Sequence, residues 1–137
     1  MRVVADTNIV TSGFLWSGPP STILQLARES RVELFTSRPL LDELLRVLRY
    51  LRLARHLARK AVTPEMLVRD FTALVRIVEP VHLEPVILCD PDDDAVLECA
   101  VAVKAERIVS GDGDLLREKI FRDIPIVTAA TFVAELA

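Results

Sequence analysis

Four very short apolar runs, rich in β-branched residues, restrict this chain more than any other feature. Val3-Val4-Ala5, Val32 to Thr36, Ile108-Val109 and Ile126-Val127 read as strands. Strands this brief are stable only when neighbours pair with them and helices cover them. Longer helical stretches separate them. Ile9 to Leu15 can start a helix that Ser17-Gly18-Pro19-Pro20 interrupts, and Ser21 is an N-cap for a helix through Arg28. Ser37 and Arg38-Pro39 open a third helix, with Pro near its first position. On it Leu44, Val47, Leu48, Leu51, Ala54 and Ala58 share one side at about 100° per residue, so a single helix to Lys60 is expected. Thr63-Pro64-Glu65 restarts a helix to about Val75, Ile77-Val78 is a strand candidate, and Pro80 to Pro85 is a loop. Asp92 to Lys104 is an almost wholly apolar helix after its first turn, hence buried. Short helices are expected near Leu115 and from about Ala129. Strands alternating with helices predict an α/β fold: a three-layer sandwich, its mostly parallel central sheet covered by helices on both faces.

Composition narrows the function classes. A length of 137 residues suits one domain, 1–137, with a real core. Hydrophobic residues at 51% and charged residues at 27% argue against disorder and coiled coil. Aromatics at 5% leave little for a base-stacking sheet of the RNA-recognition kind. Net charge is −3, so the chain is not coated in positive charge. Cys89 and Cys99 make neither a disulfide framework nor a zinc pattern and read as buried thiols. The opening Met1-Arg2-Val3-Val4-Ala5-Asp6 breaks off too early for a signal peptide. No apolar run approaches the ~20 residues of a membrane span. The expected localisation is cytoplasmic.

The chemistry lies in acids at strand ends and helix starts. Asp6 closes the first strand, and Asp112 follows the strand Ile108-Val109 through Ser110-Gly111. In an open parallel sheet the carboxyl ends of the strands form the ligand-binding edge. Carboxylates gathered there repel unless a cation joins them, and Mg²⁺ is the usual hard cation held by carboxylates, water and phosphate. Taken singly, each acid has a plainer reading. Asp6 can be an N-cap or Asx-turn. Glu43 flanks the apolar face of its helix, whereas its neighbour Asp42 points away from the core. Cys89-Asp90-Pro91-Asp92-Asp93-Asp94 begins like an EF-hand loop but has Ala95 where Gly is needed and Val101 where Glu is needed. Asp90, Asp92 and Asp93 read as turn and capping residues, and Asp94 as the acid near the positive end of a buried helix. Ser110-Gly111-Asp112-Gly113-Asp114 can be a surface turn.

Taken together, these pieces resemble the PIN-domain ribonucleases, most of all the PIN-family toxins of prokaryotic toxin–antitoxin modules. The resemblance rests on Val3-Val4-Ala5-Asp6-Thr7-Asn8, Leu41-Asp42-Glu43-Leu44, Asp90-Pro91-Asp92-Asp93-Asp94-Ala95 and Ile108-Val109-Ser110-Gly111-Asp112-Gly113-Asp114-Leu115, in order along the chain. It implies a PIN-like sandwich and an acidic quartet of Asp6, Glu43, Asp94 and Asp112 that is catalytic and metal-ligating. It implies supporting roles for Asn8, Ser110 and Asp114. The cofactor implied is Mg²⁺ or Mn²⁺, activating water for phosphodiester hydrolysis of single-stranded RNA and leaving a 5′-phosphate and a 3′-hydroxyl. Neither His56 nor His82 falls in a matching motif.

Arg46, Arg49, Arg52, Arg55, Arg59 and Lys60 follow one another with no acid between Glu43 and Glu65. This basic stretch is either a solvated face or a contact for RNA or an acidic partner, with Arg46, Arg49 and Arg52 the foremost residues. The partners expected are an RNA substrate, a cognate antitoxin protein and a second copy in a homodimer, with no membrane. Positive mean hydropathy (+0.34) and Leu53 and Leu57, which fall off the main apolar face, point to the dimer. Two rival readings stand beside the nuclease. One is a catalytically silent RNA- or protein-binding module of the same fold. The other is an aspartate-based phosphatase or receiver domain, disfavoured because Asn8 stands where such phosphatases need a second Asp.

Overall fold

The computed structural model describes residues 1–83 and 91–137, with Leu51 and Arg52 described by backbone only. Cys89, Asp90 and the end of the loop drawn from Pro80 to Pro85 lie outside the described residues. In chain order the elements are β1 (Arg2–Ala5), α1 (Thr7–Leu15), α2 (Pro19–Arg28), β2 (Glu33–Thr36), α3 (Arg38–Leu48), α4 (Leu51–Arg59) and α5 (Pro64–Leu74). There follow β3 (Val75–Ile77), α6 (Pro91–Val103), β4 (Arg107–Val109), α7 (Gly113–Glu118), β5 (Ile120–Phe121), β6 (Ile124–Val127) and α8 (Ala129–Leu136).

The strands form one sheet in the order β3-β2-β1-β4-β6-β5. All neighbours are parallel except the β5–β6 hairpin. Register sets Val3 beside Leu34 and Arg107, and Val4 beside Phe35 and Ile108. Consecutive residues point to opposite faces, so β1 serves two cores. Val3 joins Val109, Ile23, Leu44, Leu48 and Phe132 on one side. Val4 joins Phe35, Ile108, Val96, Leu97 and Ile126 on the other. Helices therefore cover both faces, the three-layer sandwich expected. From β1 the chain winds outward through β2 and β3, then returns to build β4 and β6 on the other side. That reversal puts a topological switch point between the ends of β1 and β4, where open sheets of this kind bind ligands.

Several local expectations are corrected. The helix drawn from Ser37 to Lys60 is broken at Arg49-Tyr50 into α3 and α4. Tyr50 is extended (φ −55°, ψ 137°). No Gly, Pro or Asn marks this break, so the periodicity runs through it. The gain is packing: after the turn Leu57 enters the same core as Leu44 and Leu48, and Leu53 packs against it. Leu57 is 2% exposed, so neither leucine is left uncovered as the dimer argument supposed, whereas Ala58, placed on the apolar side, is exposed. Arg49 donates to Glu65 and ties the broken segment to α5.

Helix α2 starts at Pro19, not after Ser21, with the two prolines in its first turn and Gly18 (φ 132°) as its cap. Gly13 lets α2 come close to α1, because a Cβ there would stand 2.7 Å from Leu24 Cδ1. The α5 helix stops at Leu74, and Val75 begins β3. Strand β5 is an addition that its two residues do not signal. Among the described residues no helix is long and apolar enough to cross a membrane.

Candidate metal and active site

Each carboxylate at the switch point is set by a local rule of chain geometry. Asp6 leaves β1 extended and N-caps α1, its Oδ1 accepting from the Ile9 amide at 2.9 Å. Asp112 leaves the β4 edge and N-caps α7, its Oδ2 accepting from the amides of Asp114 and Leu115 at 3.0 Å. The plain capping reading of Asp6 thus holds, Asp112 caps a helix where a surface turn was the plain reading, and capping is also what aims both into one crevice. Asp6, Thr7, Asn8, Glu43, Asp92, Asp93, Val96 and Asp112 line that crevice.

A buried hydroxyl links the two capping acids. Ser110, fully buried, donates from Oγ to Asp6 Oδ2 and accepts from the Asp112 amide at 2.9 Å. The Gly111 amide donates to the same Asp6 oxygen at 3.2 Å. Across the crevice Glu43 accepts from Thr7 Oγ1 at 2.8 Å. Asp42 is exposed and pairs with Arg38 at 3.5 Å, so the two neighbouring acids divide as their helix phase predicts.

Burial dominates the electrostatics. Loss of water pushes the Asp6 carboxyl above its ordinary value, opposed by its hydrogen bonds from Ser110, Ile9 and Gly111, while the charge of Asp112 adds to the rise. Glu43 is raised too, first by burial and then by Asp92 and Asp6, against the Thr7 hydrogen bond and the Arg46 charge. Both shifts mark carboxyls taken out of water, with neighbouring negative charge adding to the rise.

In the third acidic run the structure brings Asp93 to the crevice. Asp93 is buried, and one oxygen each from Asp93, Asp112 and Asp114 lies within 4.8 Å of the others. Asp94, the residue expected from sequence, does not line the crevice. One helical step is about 100°, so three consecutive acids cannot all face the crevice, and it is Asp92 and Asp93 that line it. Asp93 stands three, four and seven residues before Val96, Leu97 and Ala100, all fully or nearly fully buried, and this stripe is the sequence signal that could have singled it out. Thr7 and Asp92 also line the crevice without having been assigned to it from sequence.

Of the expected supporting residues, Ser110 and Asn8 are at the crevice, Asn8 exposed at its wall. Asp114 is in the carboxylate triad and pairs with Arg117. Arg46 reaches the rim, its Nη2 3.3 Å from both Asp92 oxygens. Arg49 is instead engaged with Glu65, and the Arg52 side chain lies outside the described residues.

An all-oxygen donor set of three converging carboxylates fits a hard divalent cation. Asp93, Asp112 and Asp114 would hold it, with Asp6 and Glu43 adding charge from the same crevice. No curated protein sequence matches the chain closely enough to count as a relative. A family model described as PIN domain matches residues 2–114, a span that runs from β1 through β4 and contains every acid of the crevice, and on that match the chain belongs to the PIN-domain family.

Proposed function

We propose that this protein is an endoribonuclease that hydrolyses phosphodiester bonds of single-stranded RNA with Mg²⁺ or Mn²⁺, and that it is the toxin of a toxin–antitoxin pair. PIN domains are generally nucleases with a divalent-metal requirement, which supports the reaction class. The observation that carries the reading is the meeting of Asp6, Glu43, Asp93 and Asp112 at the β1–β4 switch point, with Asp114 beside them. When bound, the cation supplies Lewis-acid activation of water and charge stabilisation at the phosphate. The protein's own residues do the positioning. Ser110 and Gly111 hold Asp6 in one orientation, and the α7 amides hold Asp112. Thr7 fixes Glu43. Asp93 takes the role that the sequence pattern gives to Asp94. Arg46, resting on Asp92 at the rim, is the guanidinium placed to meet an incoming phosphate.

Incubating purified protein with single-stranded RNA and Mn²⁺, with and without EDTA, tests the proposal. Cleavage that requires the ion and leaves 5′-phosphate ends supports it; cleavage unaffected by EDTA overturns it. A neighbouring short reading frame for a DNA-binding antitoxin, and its co-purification with this chain, tests the toxin role separately.

A further inference from the structure

Away from the crevice, the far end of α1 carries an exposed aromatic ring against the basic helix. Trp16 is the chain's one tryptophan and caps α1 at its C-terminus, its amide bonded to the Ser12 carbonyl at 2.9 Å. Its side chain is 54% exposed. The ring faces His56 of α4, with centroids 6.2 Å apart and planes tilted by 33°. A single exposed apolar ring is ordinary on a protein surface; what sets this one apart is the basic helix beside it. Arg59 and Lys60 stand three and four residues after His56, the positions that neighbour it on a helix surface. Arg55 lies four residues before Arg59. All three cations are exposed, and among the described residues none is in an ion pair.

We propose that Trp16, set at a tilt against His56 on the basic helix that carries Arg55, Arg59 and Lys60, is a base-stacking platform that holds single-stranded RNA running from the acidic crevice. The inference rests on the ribonuclease reading for its choice of strand. Helix α1 begins at Asp6 in the crevice and ends at Trp16, about 14 Å away for nine residues. A strand bound at both ends therefore follows one helix. Aromatic rings beside a positively charged track are how sequence-tolerant single-strand binders hold RNA. A second copy of the chain fits this face poorly, because a two-fold interface would bring the basic α4 against its equivalent. An acidic peptide satisfies the charges but has no use for an open indole face.

Trp16 is its own reporter. The test is titration of the full chain with a single-stranded oligoadenylate of about ten nucleotides in EDTA, where cleavage is blocked, following tryptophan emission. Stacking predicts saturable quenching that weakens with salt. Because these variants lack the reporter, their affinity is read by the anisotropy of a labelled oligonucleotide: Trp16→Leu is expected to lower it about five- to a hundredfold, and Trp16→Phe to retain most of it. Arg55→Gln with Arg59→Gln should flatten the salt dependence, by about 0.7 in logarithmic slope for each phosphate no longer neutralised. Unchanged emission on binding, or equal affinity of Trp16→Leu and the parent, overturns the platform. Tighter binding of polyglutamate than of the oligonucleotide overturns it in favour of an acidic protein partner. Emission that depends on protein concentration and not on RNA overturns it in favour of a second copy. Quenching without metal-dependent cleavage would leave the platform standing and remove the nuclease; cleavage without quenching would do the reverse.

Discussion

Ser110→Ala removes one buried oxygen that serves two of the acids. In the folded chain this hydroxyl donates to Asp6 and accepts from the Asp112 amide, and the residue is fully buried. A hydrogen bond to a charged group contributes about 1.5–3 kcal/mol, and a buried amide left without an acceptor costs about 1–3 kcal/mol. Partial exposure of Asp112 and local relaxation trim the sum, so the expected loss is about 2–4 kcal/mol at pH 7. The effect should depend on pH. Ser110 works against burial in setting the Asp6 carboxyl, so without it that carboxyl rises further and the ionised form suffers most. The loss is then largest above the raised Asp6 value and shrinks toward pH 4. Urea unfolding in EDTA at several pH values measures this, with Asp42→Ala as an exposed control expected within about 0.5 kcal/mol of the parent. A Ser110→Ala chain as stable as the parent at pH 7, or a loss that grows toward acid, would refute the role given to this hydroxyl.

Other expectations follow from the same contacts. Burial raises Asp6 and Glu43, so the folded chain holds more protons than the unfolded one between the ordinary and raised values. Stability therefore falls as pH climbs from about 4 through the raised values. Thermal melts in EDTA should show that decline and Asp6→Asn should flatten it, whereas in melts without EDTA added Mn²⁺ should offset it by binding the ionised carboxylates. Leu57→Ala should cost about 2–5 kcal/mol by denaturant titration, since Leu57 is core and not surface; a neutral result would mean α4 does not dock as described. Light scattering at micromolar concentration tests the homodimer expected from sequence, which loses the support of Leu53 and Leu57 now that Leu57 lies in the core and Leu53 packs against it; a monomer would dismiss it. The Cys99 thiol, pushed up to about 12 by burial, should resist alkylation in the folded chain and react only after unfolding.

Much of the architecture was legible because buried parallel strands leave a plain trace. The runs around Val3, Phe35, Ile108 and Ile126 are apolar on both faces, and each became a strand of the sheet. The Asp6 and Asp112 positions were legible for a related reason: an acid directly after such a strand can cap the next helix, and capping points it into the crevice. Less was legible where the deciding force was tertiary. Nothing local at Arg49-Tyr50 breaks a helix; the break exists because Leu57 has a core to enter and Arg49 has Glu65 to grip. In Asp92-Asp93-Asp94 the side chains are chemically equivalent, and only the rotation of α6 against the sheet selects Asp93. The start of α2 failed differently, because Pro19-Pro20 reads as a stop when proline in a first turn is a start.

The most direct measurement is the rate of RNA cleavage in Mn²⁺ by three chains: the parent, Asp93→Asn and Asp94→Asn. The crevice geometry predicts that Asp93→Asn loses about two or more decades of rate, the worth of several kcal/mol of charge stabilisation. Asp94→Asn, outside the crevice, should stay within about fivefold of the parent, a shift of roughly 1 kcal/mol. The reverse order would move the site around α6 to Asp94. Equal cleavage by all three chains would contradict catalysis by this cluster altogether.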